Sequence, residues 1–344
     1  MPTKILHIID CASYSGVATY TVRLVKALPQ YNHTIISCYN GNAEEELKSL
    51  NLIFTILIDK TVVKYRYLFI KYWKFVSFLF KNRFDVIHYH QGGVGLVLLA
   101  LMFGKKAKVV HHLHSGNLIG DNKSQNISII HVLLLKLISK HTYQVAVADH
   151  VFSEYKSKIK KIVNLRIIKN SVPFKYKPKK EISNSVGFIG RFTKEKGFQF
   201  FLSIVPQLKD EKPGLTIYVK GETFEQENIP VTIISPSFDV GPFYEKIDLL
   251  LFTSKAPESL PLVILEAISF DVGVIAFPLP GVVEILGEDY PFYINKYHES
   301  IERIETFYSE SFDREKLRDI HRTRQSDFDF NLMIDKINTI YNFI

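Results

Sequence analysis

The chain has 344 residues, 47% hydrophobic and 23% charged, with two cysteines and a mean hydropathy of +0.05, which excludes a disordered chain, a disulfide-stapled framework and a multi-span membrane protein. The length predicts two domains, each large enough to bury its own core. The net charge of +8 hides an asymmetry: residues 1–180 hold 27 Lys and Arg against 9 Asp and Glu, and residues 181–344 hold 16 against 26. That split argues against nucleic acid lying along the whole protein and suits one half facing an anionic surface or substrate.

Short apolar runs alternate with segments of helical periodicity. In the first half, residues 4–10, 34–39, 52–58, 85–90 and 108–114 read as strands, with helices at 17–28, 63–80, 94–103 and 127–139. The lysine-rich, proline-punctuated stretch 156–180 reads as a linker, after which strands return at 186–189, 216–220, 231–234, 249–252 and 274–276. Strand–helix–strand alternation predicts parallel sheets in both halves, hence an α/β protein of two doubly wound, Rossmann-like domains facing across a cleft. The expected division is 1–175 and 176–325, with a helix in 326–344 packing back on the first domain. The first apolar run, residues 5–9, stops at Asp10, so no secretory leader is expected. The longest uncharged apolar stretch, 92–104, has thirteen residues where a bilayer needs about 20. A cytoplasmic protein is the expectation, and Cys11 and Cys38 in buried runs fit a reducing compartment.

In doubly wound domains ligands bind at the carboxyl ends of the strands. The first such loop carries Gly16 ahead of a helix, where backbone N–H groups favour an anion or a polar sugar; the alternative is a tight turn that simply needs glycine. The second, from Gly190 to Gly197, offers Arg191 as a planar fork and Lys196 as a point charge for a diphosphate, against the alternative of a solvated charged turn. The third places Glu258 in the loop after the strand at 249–252 and Glu266 one turn into the helix that follows Pro261. Carboxylates for hydroxyls and helix-start amides for phosphate then occur together, unless Glu266 serves only the helix dipole and Glu258 faces water.

These motifs, in this order, resemble the retaining glycosyltransferase family 4, the nucleotide-sugar-dependent glycosyl transferases group 1, which have the two-Rossmann-domain GT-B fold. The resemblance rests on the Gly16 loop, His114 in Val-Val-His-His-Leu-His-Ser-Gly, Lys169-Asn170-Ser171-Val172-Pro173, Gly190-Arg191 with Lys196-Gly197, the glutamates at 258 and 266, and Pro280-Gly281-Val282-Val283-Glu284. It implies that Arg191 and Lys196 bind the donor diphosphate, Glu266 the ribose hydroxyls and Glu258 the transferred sugar, with His114 approaching that sugar from the first domain. It implies a nucleotide-diphosphate sugar, expected to be a uridine diphosphate sugar, as co-substrate, with no bound cofactor and no metal. The expected acceptor is a saccharide or a lipid-linked molecule, in bacterial surface or capsular polysaccharide assembly. Two departures, Ser15-Gly16 in place of paired glycines and Ser-Leu in place of Gly-Phe after Glu258, bear on the donor sugar's identity. No carboxylate nucleophile stands at a matching position, so same-face attack is implied, with the departing phosphate accepting the acceptor's proton.

His88, His90, His111, His112 and His114 could suggest a metal, but no cysteine or carboxylate joins them at ligand spacing, and all but His114 read as core or rim histidines. Between Lys60 and Lys81 lie eight aromatics, and Lys60, Lys64, Lys71, Lys74 and Lys81 fall within one helical arc. Such a stripe, with ten cations and no acid from Lys156 to Lys180, suits an anionic membrane surface; the alternative is a helix with aromatics in the core and lysines in water. Competing readings are a nucleotide-sugar epimerase of similar fold, a non-catalytic partner subunit, and a nucleic-acid binder, for which no recognition motif is present.

Overall fold

The computed structural model describes residues 2–59, 67–90, 94–114, 129–159, 162–179, 181–222 and 229–342. The chain forms two compact units, residues 1–170 with 331–344 and residues 171–330.

Unit 1 runs β1 (Lys4–Cys11), α1 (Gly16–Ala27), β2 (Asn32–Tyr39), α2 (Glu44–Lys48), β3 (Ile53–Ile58), α3 (Tyr67–Lys81), β4 (Val86–Tyr89), α4 (Val94–Phe103), β5 (Lys108–Leu113), α5 (Ile129–Ser139), β6 (Tyr143–Ala146), α6 (Asp149–Lys158) and β7 (Leu165–Ile167). All seven strands are parallel, in the order β3-β2-β1-β4-β5-β6-β7. Helices cover both faces of such a sheet, so its central strands are apolar nearly throughout: Ile5, Leu6, Ile8, Ile87, Val109 and Val110 are essentially inaccessible. The stretch read as a linker instead contains the end of α6 and the edge strand β7. Three residues with Arg166 exposed carry too short an apolar run to register as a strand. The helix α13 (Phe330–Asn342) closes this unit: the Tyr31 hydroxyl lies 2.5 Å from Asn338 Oδ1 and 2.8 Å from Asn342 Oδ1.

Unit 2 runs β8 (Ser185–Ile189), α7 (Phe198–Glu211), β9 (Thr216–Lys220), β10 (Thr232–Ile234), α8 (Gly241–Tyr244), β11 (Leu249–Phe252), α9 (Leu262–Ser269), β12 (Gly273–Ala276), α10 (Pro280–Leu286), α11 (Glu299–Tyr308) and α12 (Arg314–Ser326). Its five parallel strands are ordered β10-β9-β8-β11-β12. The winding reverses between β8 and β11, the point at which open α/β sheets part their loops and leave a crevice.

A buried polar centre fixes α9 in place. Asp271, just past the helix in a left-handed conformation (φ 57°), receives the Arg318 Nε–H at 3.0 Å, the Lys179 N–H at 3.0 Å and the Tyr176 hydroxyl at 3.1 Å, and lies 3.5 Å from His321 Nδ1. Burial pushes its carboxyl up, but His321, Lys179 and Arg318 outweigh burial and hold it below the usual value. A depressed carboxyl contributes stability above the ordinary carboxylate pKa and loses it as pH falls toward the depressed value. Asp271→Asn keeps the left-handed turn and removes the charge, so it is expected to cost about 3 kcal/mol at neutral pH. Urea denaturation from pH 7 to pH 3 checks this: the variant's loss should shrink as the medium becomes acidic.

Candidate active site

The loop after β8 is built by close approach. Gly197 has φ 71°, and a Cβ there would stand 2.3 Å from the Thr253 carbonyl oxygen, so only glycine lets the loop press against the end of β11. The Thr253 hydroxyl donates to the Lys196 carbonyl at 2.9 Å, and Ser254 Oγ lies 3.2 Å from the Glu195 carbonyl oxygen. Phe192 stacks on Phe198 at 3.9 Å between centroids, and a Cβ on Gly221 would strike the Phe192 ring at 2.5 Å.

From this loop Lys196 Nζ reaches Glu258 Oε1 at 2.5 Å, and the Ser254 hydroxyl donates to the same oxygen at 2.7 Å. The lysine side chain is 27% exposed and the glutamate 13%, so the pair is screened less than a surface ion pair while remaining open to a ligand. The cation and the carboxylate that the sequence assigned to separate parts of a ligand therefore stand together. Arg191 is exposed at the start of the loop and makes no ion pair among the described residues. Glu266, five residues into α9, is buried; the Tyr244 hydroxyl at the end of α8 lies 2.9 Å from Glu266 Oε2 and 2.9 Å from the Val263 carbonyl oxygen. No side chain caps α9 at Pro261, which leaves its first amides for solvent or an anion. On the other side of the Glu258 loop, a Cβ on Gly281 would come within 2.1 Å of the Ser259 carbonyl oxygen and 2.5 Å of the Glu258 carbonyl oxygen. Thr253, Ser254, Tyr244 and Gly281 thus position the candidates. Sequence reasoning passed over them as site residues, although Thr253 and Ser254 directly follow a buried strand.

In unit 1, Ser15 caps α1 by accepting the Ala18 N–H at 3.3 Å. Gly16 has no positive φ and a Cβ would meet nothing within 4 Å, so the turn does not itself require glycine. His114 sits at the end of β5, partly exposed, with its ring 5.0 Å from Tyr20 one turn along α1. Burial lowers its pKa to about 3, so the ring is neutral at physiological pH. His7, His88, His90, His111 and His112 are wholly buried, and no cysteine or carboxylate joins the histidine groups among the described residues.

Comparison with known proteins identifies the family. Residues 183–309 match the family described as Glycosyl transferases group 1 and residues 14–172 the family described as Glycosyltransferase Family 4. The chain belongs to the group 1 glycosyl transferases. It is 23% identical over 310 residues to an uncharacterized 41.2 kDa protein in the cps region of Klebsiella pneumoniae, covering 83% of this chain and 84% of that protein. Among solved structures, HepE of Anabaena in complex with UDP and glucose aligns with a TM-score of 0.74 at 17% identity, covering 99% of this chain and all of that one. The pneumococcal O-GlcNAc transferase GtfA in complex with UDP and GlcNAc aligns with a TM-score of 0.75 at 11% identity, covering 99% and 98%. These similarities establish the GT-B architecture of two parallel-sheet units, and the family makes the protein a glycosyltransferase.

Gly281→Ala tests how this glycosyltransferase seats Glu258. The added methyl must displace the backbone of Glu258 and Ser259, so a stability loss of about 1–3 kcal/mol is expected by thermal denaturation. Gly16→Ala, with open space around it, should leave the melting temperature unchanged.

Proposed function

We propose that the protein is a retaining glycosyltransferase that moves a sugar from a uridine diphosphate donor to a saccharide or lipid-linked acceptor in surface or capsular polysaccharide synthesis. The observation that carries the reading is the meeting of Lys196, Glu258 and Ser254 at the point where the sheet order of unit 2 reverses. Support for the donor class comes from the uridine diphosphate complexes of the structural relatives, and for the setting from the Klebsiella cps-region relative.

In this reading Arg191 and Lys196 bind the diphosphate. Charge-assisted bonds from the guanidinium, the ammonium and the first amides of α9 stabilise the leaving group as the sugar gains oxocarbenium character, so the chemistry draws its positive charge from the protein and not from a metal. Donor binding moves Lys196 from Glu258 toward phosphate and leaves that carboxylate to accept hydroxyls of the transferred sugar. Glu266, steadied by Tyr244, accepts the ribose hydroxyls. His114 serves the transferred sugar, and the open turn at Gly16 admits a ligand close to the backbone. Attack occurs from the face the diphosphate leaves, and the phosphate takes the acceptor's proton.

Calorimetric titration with uridine diphosphate tests the site. Lys196→Ala and Arg191→Ala should each weaken binding about ten- to hundredfold, the worth of one charge-assisted hydrogen bond. Glu258→Ala should abolish transfer from a nucleotide sugar while retaining diphosphate binding. Conversion of the donor into an isomer without acceptor would establish the epimerase instead.

The acceptor side carries a second observation. On α3, Phe69, Trp73 and Phe80 are 76%, 67% and 59% exposed, and the neighbouring α4 and α5 expose Met102, Leu133 and Leu137. Lys74 and Lys81 flank the aromatic stripe, whereas Lys71 turns to the rings of Tyr39 and Tyr72 at 5.4 and 5.2 Å; Lys60, Lys64 and Arg66 lie outside the described residues. Phe75 and Leu79 face the core and Tyr72 and Phe78 are half-buried, but Phe69, Trp73 and Phe80 face outward, which favours a face that rests on an anionic bilayer, each cation contributing about 1 kcal/mol near the headgroups. No helix among the described residues is long and apolar enough to cross a membrane. Docking on the inner leaflet would present a lipid-linked acceptor. Trp73 is the single tryptophan, so its emission should shift to the blue with anionic vesicles at low salt and not with neutral ones; equal responses would remove the membrane from this reading.

A further inference from the structure

Four histidines form one continuous chain inside unit 1. His33 Nε2 lies 2.8 Å from the Leu28 carbonyl oxygen, His33 Nδ1 3.0 Å from His7 Nε2, His7 Nδ1 3.0 Å from His90 Nε2, and His90 Nδ1 3.4 Å from His114 Nε2. A neutral imidazole has one N–H and one acceptor nitrogen, whereas a carbonyl oxygen can only accept. The Leu28 oxygen therefore requires the proton of His33 on Nε2, which makes His33 Nδ1 an acceptor. His7 must then donate from Nε2, His90 from its own Nε2 into His7 Nδ1, and His114 from Nε2 into His90 Nδ1. One backbone carbonyl on the loop after α1 thus dictates the tautomer of a ring three histidines away. At the far end His114, the only partly exposed ring of the four, keeps a bare Nδ1 with no partner among the described residues.

We propose that the chain His33–His7–His90 is a positioning device that locks His114 in the Nε2–H tautomer, so that Nδ1 is presented as a hydrogen-bond acceptor for a hydroxyl. That the hydroxyl belongs to a sugar rests on the transferase reading; the tautomer lock does not. The three inner rings are buried, and each uses both of its nitrogens. The lock is consequently stiff, because reversing any one ring leaves two N–H groups or two lone pairs face to face in a dry interior. The ring nitrogens of His90, His112 and His114 also lie within 4.8 Å of one another, the spacing of a metal cage. In the chain, both nitrogens of His90 are already committed to histidines. Metal content is therefore a direct rival outcome.

Long-range nitrogen–proton correlation spectra of the protein labelled with ¹⁵N-histidine, recorded without substrate, read the tautomers. His33, His7, His90 and His114 should all carry the proton on Nε2. His33→Leu removes the acceptor of His7; a bare lone pair in an apolar wall costs less than a bare N–H, so the chain should reverse and place the proton of His114 on Nδ1. His33→Asn offers its carbonyl oxygen where Nδ1 stood and should restore the original tautomer. With a nucleotide sugar and acceptor, His33→Leu should lower kcat about five- to tenfold with the donor KM nearly constant, and His33→Asn should recover most of it. A proton on His114 Nδ1 in the unaltered protein, an unmoved tautomer in a folded His33→Leu variant, or stoichiometric zinc by elemental analysis would each overturn the proposal. Should His33→Leu not fold, the spectrum of the unaltered protein still decides.

Discussion

Everything at the candidate site of unit 2 depends on how closely two loops approach the end of one buried strand. β11 is four apolar residues with no exposed face, so its successor Thr253 has a fixed position and a carbonyl that cannot move aside. Gly197 brings the loop after β8 against that carbonyl, and Gly281 brings α10 against the backbone of Glu258. Only when both approaches are made do Lys196 and Glu258 come within 2.5 Å, with Ser254 between them. The ion pair is thus the consequence of steric fit, and its chemistry follows from backbone geometry more than from attraction between two exposed charges.

Most of the strands and the location of the loops were legible because buried parallel strands leave short apolar runs, although β6, with Tyr143 and Gln144 in its four residues, did not register as one. Leu249–Phe252 is an apolar run between Asp248 and Thr253-Ser254, Gly273–Ala276 one that ends ahead of prolines at 278 and 280, and the residues just after such strands are where these sheets bind ligands. Short edge elements were not legible. β7 has only Leu165, Arg166 and Ile167, and its lysine-rich surroundings reflect solvent-facing positions that mimic a linker. Partnership across the sequence was hidden as well. That Lys196 meets Glu258 sixty-two residues away, or that Tyr244 steadies Glu266, follows from strand order, which no local pattern encodes. The glycine at 16 is an instructive intermediate case: the tight turn that could have demanded it does not, since the backbone there is ordinary and the space beyond is open.

The two units solve the problem of polar side chains near strand ends in opposite ways. Unit 2 uses full charges, partly exposed, that balance one another in the Lys196–Glu258 pair. Unit 1 uses imidazoles that burial keeps uncharged; His7, His88, His90 and His112 all lie well below the usual histidine range, with desolvation the largest cause and neighbouring histidines adding to it. Neutral rings can be packed at 3.0 Å in a dry sheet because each offers one donor and one acceptor, whereas a protonated ring gives up its own lone pair and turns an N–H against its neighbour's N–H. The histidine cluster of unit 1 is thereby polar without being charged.

That contrast also separates net charge from the place proposed for an anion. The surplus of cations in residues 1–180 belongs largely to the surface: Lys74, Lys81, Lys105, Lys106 and Lys140 are exposed. The acidic second half nevertheless holds Arg191 and Lys196, the pair proposed for the phosphate, in the loop after β8, while acids outnumber cations on outer helices such as α11. At contact distance a single ammonium in a half-dry crevice outweighs several carboxylates a Debye length away, whose field is screened by salt. The global asymmetry speaks to which face meets a charged surface, and the local one to which atoms meet the ligand.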